Sequence, residues 1–473
     1  MLSWNTSLQQ TEAFRLEPAT SALVANVNGD DGDRHFKPGL ISDRTDLFSA
    51  FDYSTRSFGI RVSAAGWYDP IYLHGNGNNP ADSFNPVSVL PGVLPQSVRH
   101  LHGLQGDLLD AFVHGKFTLD KIPVTLRLGR HTLIWGESLF FGGNGIAAGQ
   151  APEDVIRGRS VPDATARELF LPVAQLSGSI RLRPGLSIEF YDQFEWRRDR
   201  LPGVGSYFST SDILDQGGER VLLANGGSLR RTADAKPDAA GQFGLSLHGT
   251  TGQADWGLYA LQADAHEPLV VTNPAAGTYH LVFPGHIGIY GASLSTFLGN
   301  DTISGEISFH HGVPVSVPGG LQAAGSGSLP RADSANAQVS LVSEKGPGRF
   351  WDSADLSAEI AGNVVVDASR DAASISAAGS STMAFEVQFE PHYFHVLPAF
   401  DLSPSATFAY GVFGQSDIDT EMQQGSGSVT LGLNLDYRAV WHARLQFTHF
   451  VGAPSMQALA DRDFAAISLM RSF

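Results

Sequence analysis

Leu176-Ser177-Gly178-Ser179-Ile180-Arg181-Leu182, the turn Arg183-Pro184-Gly185, then Leu186-Ser187-Ile188-Glu189-Phe190 is the stretch that decides the fold. Apolar and polar residues alternate on both sides of a tight turn, the mark of a hairpin whose strands have two different faces. The same period of two recurs at Phe58 to Tyr68, where Arg61 and Ser63 take the second face. It returns at Val124-Leu126-Leu128 against Thr125 and Arg127, and again at Val429 to Tyr437 and Ala443 to Phe447. Sustained helical periodicity is absent, so the chain reads as all-β.

About eighteen strands fit the pattern, near 2–15, 40–53, 58–69, 103–119, 123–135, 172–183, 186–196, 240–250, 254–264, 284–298, 301–312, 334–345, 352–364, 380–393, 400–412, 427–437, 440–450 and 463–473, with sixteen as the alternative. Their connections alternate between short and long. Asp120–Pro123, Arg183–Gly185, Gly252–Ala254, Gly299–Asp301 and Arg438–Ala439 are short; 70–102, 136–171, 197–239, 265–283, 313–333 and 413–426 are long. A transmembrane antiparallel β-barrel explains this: short periplasmic turns, long outer loops, and strands long enough to cross a bilayer. A soluble sandwich has no reason to gather every long loop at one end.

Composition agrees. The 473 residues include 52 glycines, 25 prolines, 29 phenylalanines and no cysteine, with 31 Lys+Arg against 48 Asp+Glu for a net charge of −17. That acidity argues against nucleic acid, and the missing cysteines exclude a disulfide scaffold. Mean hydropathy is −0.06, as expected when only alternate residues meet lipid. The longest stretch without Asp, Glu, Lys or Arg, Pro268–Asn300, is broken by Pro274, Pro284 and several glycines and is not a spanning helix. No signal peptide is visible at Met1-Leu2-Ser3-Trp4. The C-terminal Ala465, Ile467, Leu469 and Phe473 follow the alternation expected of a final outer-membrane strand, and Arg471 departs from it.

Several segments resemble a Gram-negative outer-membrane barrel family classed as a domain of unknown function. They are Asp31-Gly32-Asp33-Arg34-His35-Phe36, Gly66-Trp67-Tyr68-Asp69, Gly129-Arg130-His131-Thr132-Leu133-Ile134-Trp135-Gly136-Glu137-Ser138, Gly205-Ser206-Tyr207-Phe208-Ser209, Tyr290-Gly291-Ala292-Ser293 and Gly305-Glu306-Ile307-Ser308-Phe309. The resemblance runs from about residue 25 to the C-terminus. It implies genes beside RND-type inner-membrane transporters and a periplasmic lipoprotein family, often in catabolic clusters for steroids or aromatics. From it follow the expected partners, a periplasmic lipoprotein, an RND-type transporter, outer-membrane lipids and hydrophobic cargo. It supplies no catalytic residue.

One barrel domain over 1–473 is therefore expected in the outer membrane, with loops 70–102, 136–171 and 197–239 as plug or lid segments. At least one loop should fold into the lumen. Loop 136–171 is the first choice, because it mixes Phe140 and Phe141 with Arg157, Arg159, Arg167 and Glu168 and begins at Glu137. Opposed charges and an apolar narrowing are what a selective constriction uses. Arg127 and Arg130 on the preceding strand join the lumen candidates, and Glu189, Glu195, Glu306, Glu359 and Glu386 offer inward carboxylates. Trp67, Tyr68, Trp135, Trp196 and Trp441 are expected in aromatic girdles. Val89 to Pro95 is apolar enough to cap the mouth, fold inward as a plug, or contact a lipid or partner.

Asn28-Gly29-Asp30-Asp31-Gly32-Asp33 has the alternating oxygens of a calcium loop but lacks its bidentate Glu, so an Asx-rich turn is the expectation. The pairs His100/His102, His310/His311 and His392/His395 lack a third ligand. No metal, cofactor or catalytic site is expected, since no elbow, phosphate loop or zincin motif occurs. The function expected is a channel for hydrophobic or amphiphilic small molecules. A structural anchor for periplasmic partners is the alternative, and a lipid-modifying enzyme stands behind both.

Overall fold

The computed structural model describes residues 1–78, 82–160, 169–315, 321–323, 329–368, 381–416, 418 and 422–473. Eighteen antiparallel strands form one sheet that closes on itself, because Leu2–Arg15 pairs both with Gly39–Ser54 and with the last strand, Phe464–Ser472. Closure leaves no edge, as lipid requires. The strand positions agree with those read from the alternation to within a few residues at most ends. Two ends differ, and both matter. The strand begun at Ile122 stops at His131 rather than Trp135, and the strand begun at Leu186 stops at Gln193 rather than Trp196.

The wall is that of an outer-membrane barrel. Along Asp301–Pro314, Glu306, Ser308 and His310 are buried inside while Ile307 and Phe309 face out. Asn336, Gln338 and Ser340 repeat this against outward Val339, and Ser177 against outward Leu182. An apolar exterior and polar interior on a closed barrel belong in a Gram-negative outer membrane. Strands meet at tight turns on one end: Asp120-Lys121 and Arg438-Ala439 have both central φ values positive, as two-residue hairpin turns of matching twist demand. At the same end Arg471 lies over the rings of Trp441 (5.1 Å) and Phe473 (4.5 Å). The departure from the terminal pattern is thus a cation resting on two aromatic faces at the rim.

The long loops build structure of their own at the other end. Arg220–Leu222, Ser228–Arg231, Leu269–Asn273, Thr278–Val282 and Leu321–Ala323 form a second, five-stranded sheet. Val221, Leu229, Val270, Tyr279 and Leu281 make its core. A second apolar cluster joins Phe36, Tyr72, Leu94, Val98, Tyr207 and Phe208 to Phe464 of the wall. Leu94 of the apolar stretch is therefore anchored, whereas Leu90 stays exposed.

Gly129 kinks the fifth strand two residues before it leaves the wall. Its φ is +124°, and a Cβ there would meet the Ala111 carbonyl oxygen at 2.4 Å and Phe112 Cα at 2.8 Å. Gly129→Val should cost about 1–3 kcal/mol from backbone strain alone, and more from the clash. The expected readout is a smaller fraction of folded, heat-modifiable barrel on gels; an unchanged folded fraction would mean that the positive φ at Gly129 is not needed.

Candidate lumen constriction

Beyond His131 the chain turns inward and crosses the lumen. Trp135 is its first anchor. Its backbone N–H donates to Gln150 Oε1 at 2.8 Å and its indole N–H to Glu189 Oε2 at 3.1 Å. The ring packs against Tyr191 (5.0 Å) and Tyr259 (6.1 Å) beside Ile146, Leu261 and Ile289.

The loop then reaches the opposite wall. Strands Asp301–Pro314 and Ser353–Ala368 stand six and eight places around the barrel from Ile122–His131. A segment in the lumen must find partners for its backbone N–H groups, and two wall carboxylates supply them. Glu306 accepts from Glu137 N (2.6 Å) and Ile146 N (2.8 Å), and Gln338 Nε2 also donates to it (3.0 Å). Glu359 accepts from Leu139 N (3.2 Å), Phe140 N (2.5 Å) and Phe141 N (3.0 Å). Asn144 bonds Gln338 and Asn363, each at 3.1 Å. Glycine is required at both contacts with Glu306: a Cβ at Gly136 would lie 2.5 Å from Oε2, and one at Gly145 2.1 Å from Oε1. Phe141 closes the contact by packing on Ala361, Ala384 and Met422.

The side nearer the loop's origin carries ion pairs of both signs. Arg157, on the short helix Val155–Ser160, reaches Asp46 at 3.2 Å, and Arg44 holds Asp46 through two bonds of 2.8 Å. Arg200 pairs with Asp154 and Asp107, and Arg197 with Asp107 at 3.4 Å. Arg44 and Arg200 both lie over the ring of Trp67. His102 is held neutral beside them: burial, then the charges of Arg44 and Arg200, lower it to about 3. Burial conversely raises the Glu137 carboxyl above its ordinary range, against a hydrogen bond from Ser304.

Above the loop lies a cavity of about 1480 Å³. Its floor is Leu139, Phe140 and Phe141, its side wall includes Ala384, Glu386, Ala409 and Ser428, and its roof includes Ile213, Val270 and Leu321 from the outer loops. Arg159 also lines it. The space is bounded by apolar and polar groups together.

Placed on this frame, the residues anticipated from sequence separate. Arg127 lies over the ring of Phe112 at 4.9 Å. Arg130 follows the distortion at Gly129 and pairs with Glu195. Glu137, Phe140, Phe141, Arg157 and Arg159 all sit on the inward loop, while Arg167 and Glu168 lie outside the described residues. The girdle expectation needs correction at three tryptophans. Trp67 (5% exposed) and Trp135 (4% exposed) face inward, and Trp196 packs in the loop sheet, stacked on His266. The reason for the last two is the early end of their strands. Tyr68 and Trp441 remain on the outward face. The histidine pairs split: His310 points to the Gly145 carbonyl at 3.1 Å while His311 meets Asp333. What sequence reading missed is the role of Glu306 and Glu359 as the loop's anchors. The cluster Gly142-Gly143-Asn144-Gly145 was its available signal.

The whole chain, residues 1–473, matches the family described as "Protein of unknown function (DUF1302)". Among solved structures the chain is similar to Acinetobacter baumannii OccAB1, at 10% identity and a TM-score of 0.49, covering 100% of this chain and 96% of that one. It is similar to Acinetobacter baumannii OccAB3 at 11% identity, TM-score 0.48, covering 100% and 99%. It is also similar to Pseudomonas aeruginosa OpdK, solved with vanillate, at 10% identity, TM-score 0.45, covering 100% and 98%. No curated protein matches it in sequence.

Proposed function

This chain belongs to the DUF1302 family, and from that membership we propose that it is an outer-membrane conduit for amphiphilic small molecules. The observation that carries the reading is the inward loop, pinned across the lumen by Glu306 and Glu359, with the cavity of about 1480 Å³ resting on its phenylalanine floor. The apolar part of a cargo would lie on Phe140, Leu139 and Val270. An anionic head would meet Arg159. Apolar contact gives affinity, and a charged group beside it orients the cargo as it passes the narrowing. Passage onward would be coupled to a periplasmic lipoprotein and an RND-type transporter, the partners that the family resemblance implies.

Blocking the cavity from the wall tests this without touching the loop. Ser428→Trp should lower uptake of an aromatic or steroid carboxylate into proteoliposomes by about tenfold, with the barrel still folded by heat-modifiability. Uptake equal to that of the unaltered chain would remove the cavity from the path.

A further inference from the structure

Three carboxylates meet out of contact with solvent at the long-loop end. Asp30, Asp31 and Asp212 are each 0% exposed, and one oxygen from each lies within 4.8 Å of the others. The first two come from the loop after Leu2–Arg15, the third from the loop after Leu186–Gln193. The two loops are pressed together at glycines: a Cβ at Gly29 would meet Thr210 O at 2.9 Å, and one at Gly32 Ser206 O at 2.7 Å. Asp212 N donates to Asn28 O at 2.8 Å, and Asp31 N to Asp212 Oδ2 at 3.1 Å. A third loop contributes Asn78, whose Nδ2 donates to Asp31 Oδ1 at 2.8 Å, and Asn85, whose N donates to Asp31 Oδ2 at 3.4 Å.

The charge does not balance. Arg34 pairs with Asp30, but among the described residues neither Asp31 nor Asp212 makes an ion pair. Burial, with the neighbouring carboxylates, raises the affinity of Asp31 and Asp212 for protons. A second observation points the same way. The amide oxygen of Asn78, itself 2% exposed, has no hydrogen-bond partner, and nor do Asp30 Oδ1 and Asp212 Oδ1. The two orientations of an amide exchange nitrogen and oxygen in nearly the same space. Turned over, Asn78 would present this oxygen to the carboxylates.

We propose that Asp30, Asp31 and Asp212, with the Asn78 amide oxygen, bind a hard divalent cation of the calcium class that clasps the three outer loops together. The donors are all oxygens, the set such a cation takes, and two unbalanced negative charges match its own. The Glu missing from the calcium-like run Asn28 to Asp33 is no obstacle, because the remaining ligands come from two other loops. Extracellular calcium modules work at dissociation constants of about 10⁻⁴–10⁻³ M, the range expected here.

Calorimetric titration of the full, EDTA-stripped chain in detergent with calcium chloride alone provides the test. One site per chain is expected. Asp31→Asn with Asp212→Asn should weaken it at least tenfold, and calcium should slow proteolysis of the outer loops in the unaltered chain only. Relieving repulsion should leave the barrel folded; should the double variant fail to fold, Asp212→Asn alone is read the same way. No saturable binding at millimolar calcium by the folded unaltered chain, or undiminished binding by the variants, would overturn the site.

Discussion

Replacing Glu306 and Glu359 together by alanine is expected to raise single-channel conductance in planar bilayers about fivefold, because a pore's narrowest element sets its current. The loop from Gly136 to Ile146 is held to the far wall by five backbone N–H groups that these two carboxylates accept. Hydrogen bonds to a charged partner contribute about 1.5–3 kcal/mol each, and they do not simply add where they share an acceptor. Removing both acceptors also strands those N–H groups in the lumen, where only water can satisfy them, so the loop moves toward water. The single variants retain one anchor and should change conductance less than half as much on a logarithmic scale. Glu306→Gln with Glu359→Gln keeps an acceptor at each place and should fall between. An unchanged current in the double alanine variant would mean that Trp135, Ile146 and Phe141 hold the loop by packing alone, and the carboxylate clamp would be lost as what keeps it across the lumen.

The barrel was legible because its physics is local. Alternation such as Leu176 to Phe190 reports two solvents on two faces, and turns such as Asp120-Lys121 and Arg438-Ala439 fall where the strand ends predict. Where the alternation continues after the strand has left the wall, sequence misleads. Leu133 and Trp135 keep the period of two, but they pack inside against Tyr191 and Tyr259. The aromatic and charged residues after Gly136 pointed to a segment that could enter the lumen; its attachment was not readable, since Glu306 lies 169 positions from Glu137. The outer sheet was invisible for a similar reason. Its strands are three to five residues long and come from separate loops. Likewise Asp212 stands 181 positions from Asp31, so the calcium-like run looked incomplete when read along the chain.

The seam that closes the barrel depends on a buried charge network, and Arg462→Ala is expected to cost about 3–5 kcal/mol of stability, as does the loss of one partner from a buried ion pair. Arg15 ends the first strand, and Asp461 and Arg462 stand three and two positions before the last one, which pairs with it from Ser7/Ser472 to Arg15/Phe464. Arg462 donates through Nε to Asp33 at 2.5 Å and through its other nitrogens to the carbonyls of Tyr207 and Ser209. Arg15 donates to Asp33 Oδ1 (3.1 Å), Phe36 O (2.8 Å) and Asp461 O (3.0 Å). Two guanidiniums thus face two carboxylates with almost no solvent contact. Truncating Arg462 leaves Asp33 and Asp461 sharing Arg15, with two loop carbonyls unmet at the same stroke. Lysine keeps the charge but not the planar fork that reaches three acceptors, so Arg462→Lys should recover only part of the loss. Urea titration of the folded, heat-modifiable form measures both, and Asp33→Ala in combination should couple to Arg462→Ala by about 1–3 kcal/mol. Equal midpoints for Arg462→Ala and the unaltered chain would show that backbone pairing alone closes the seam.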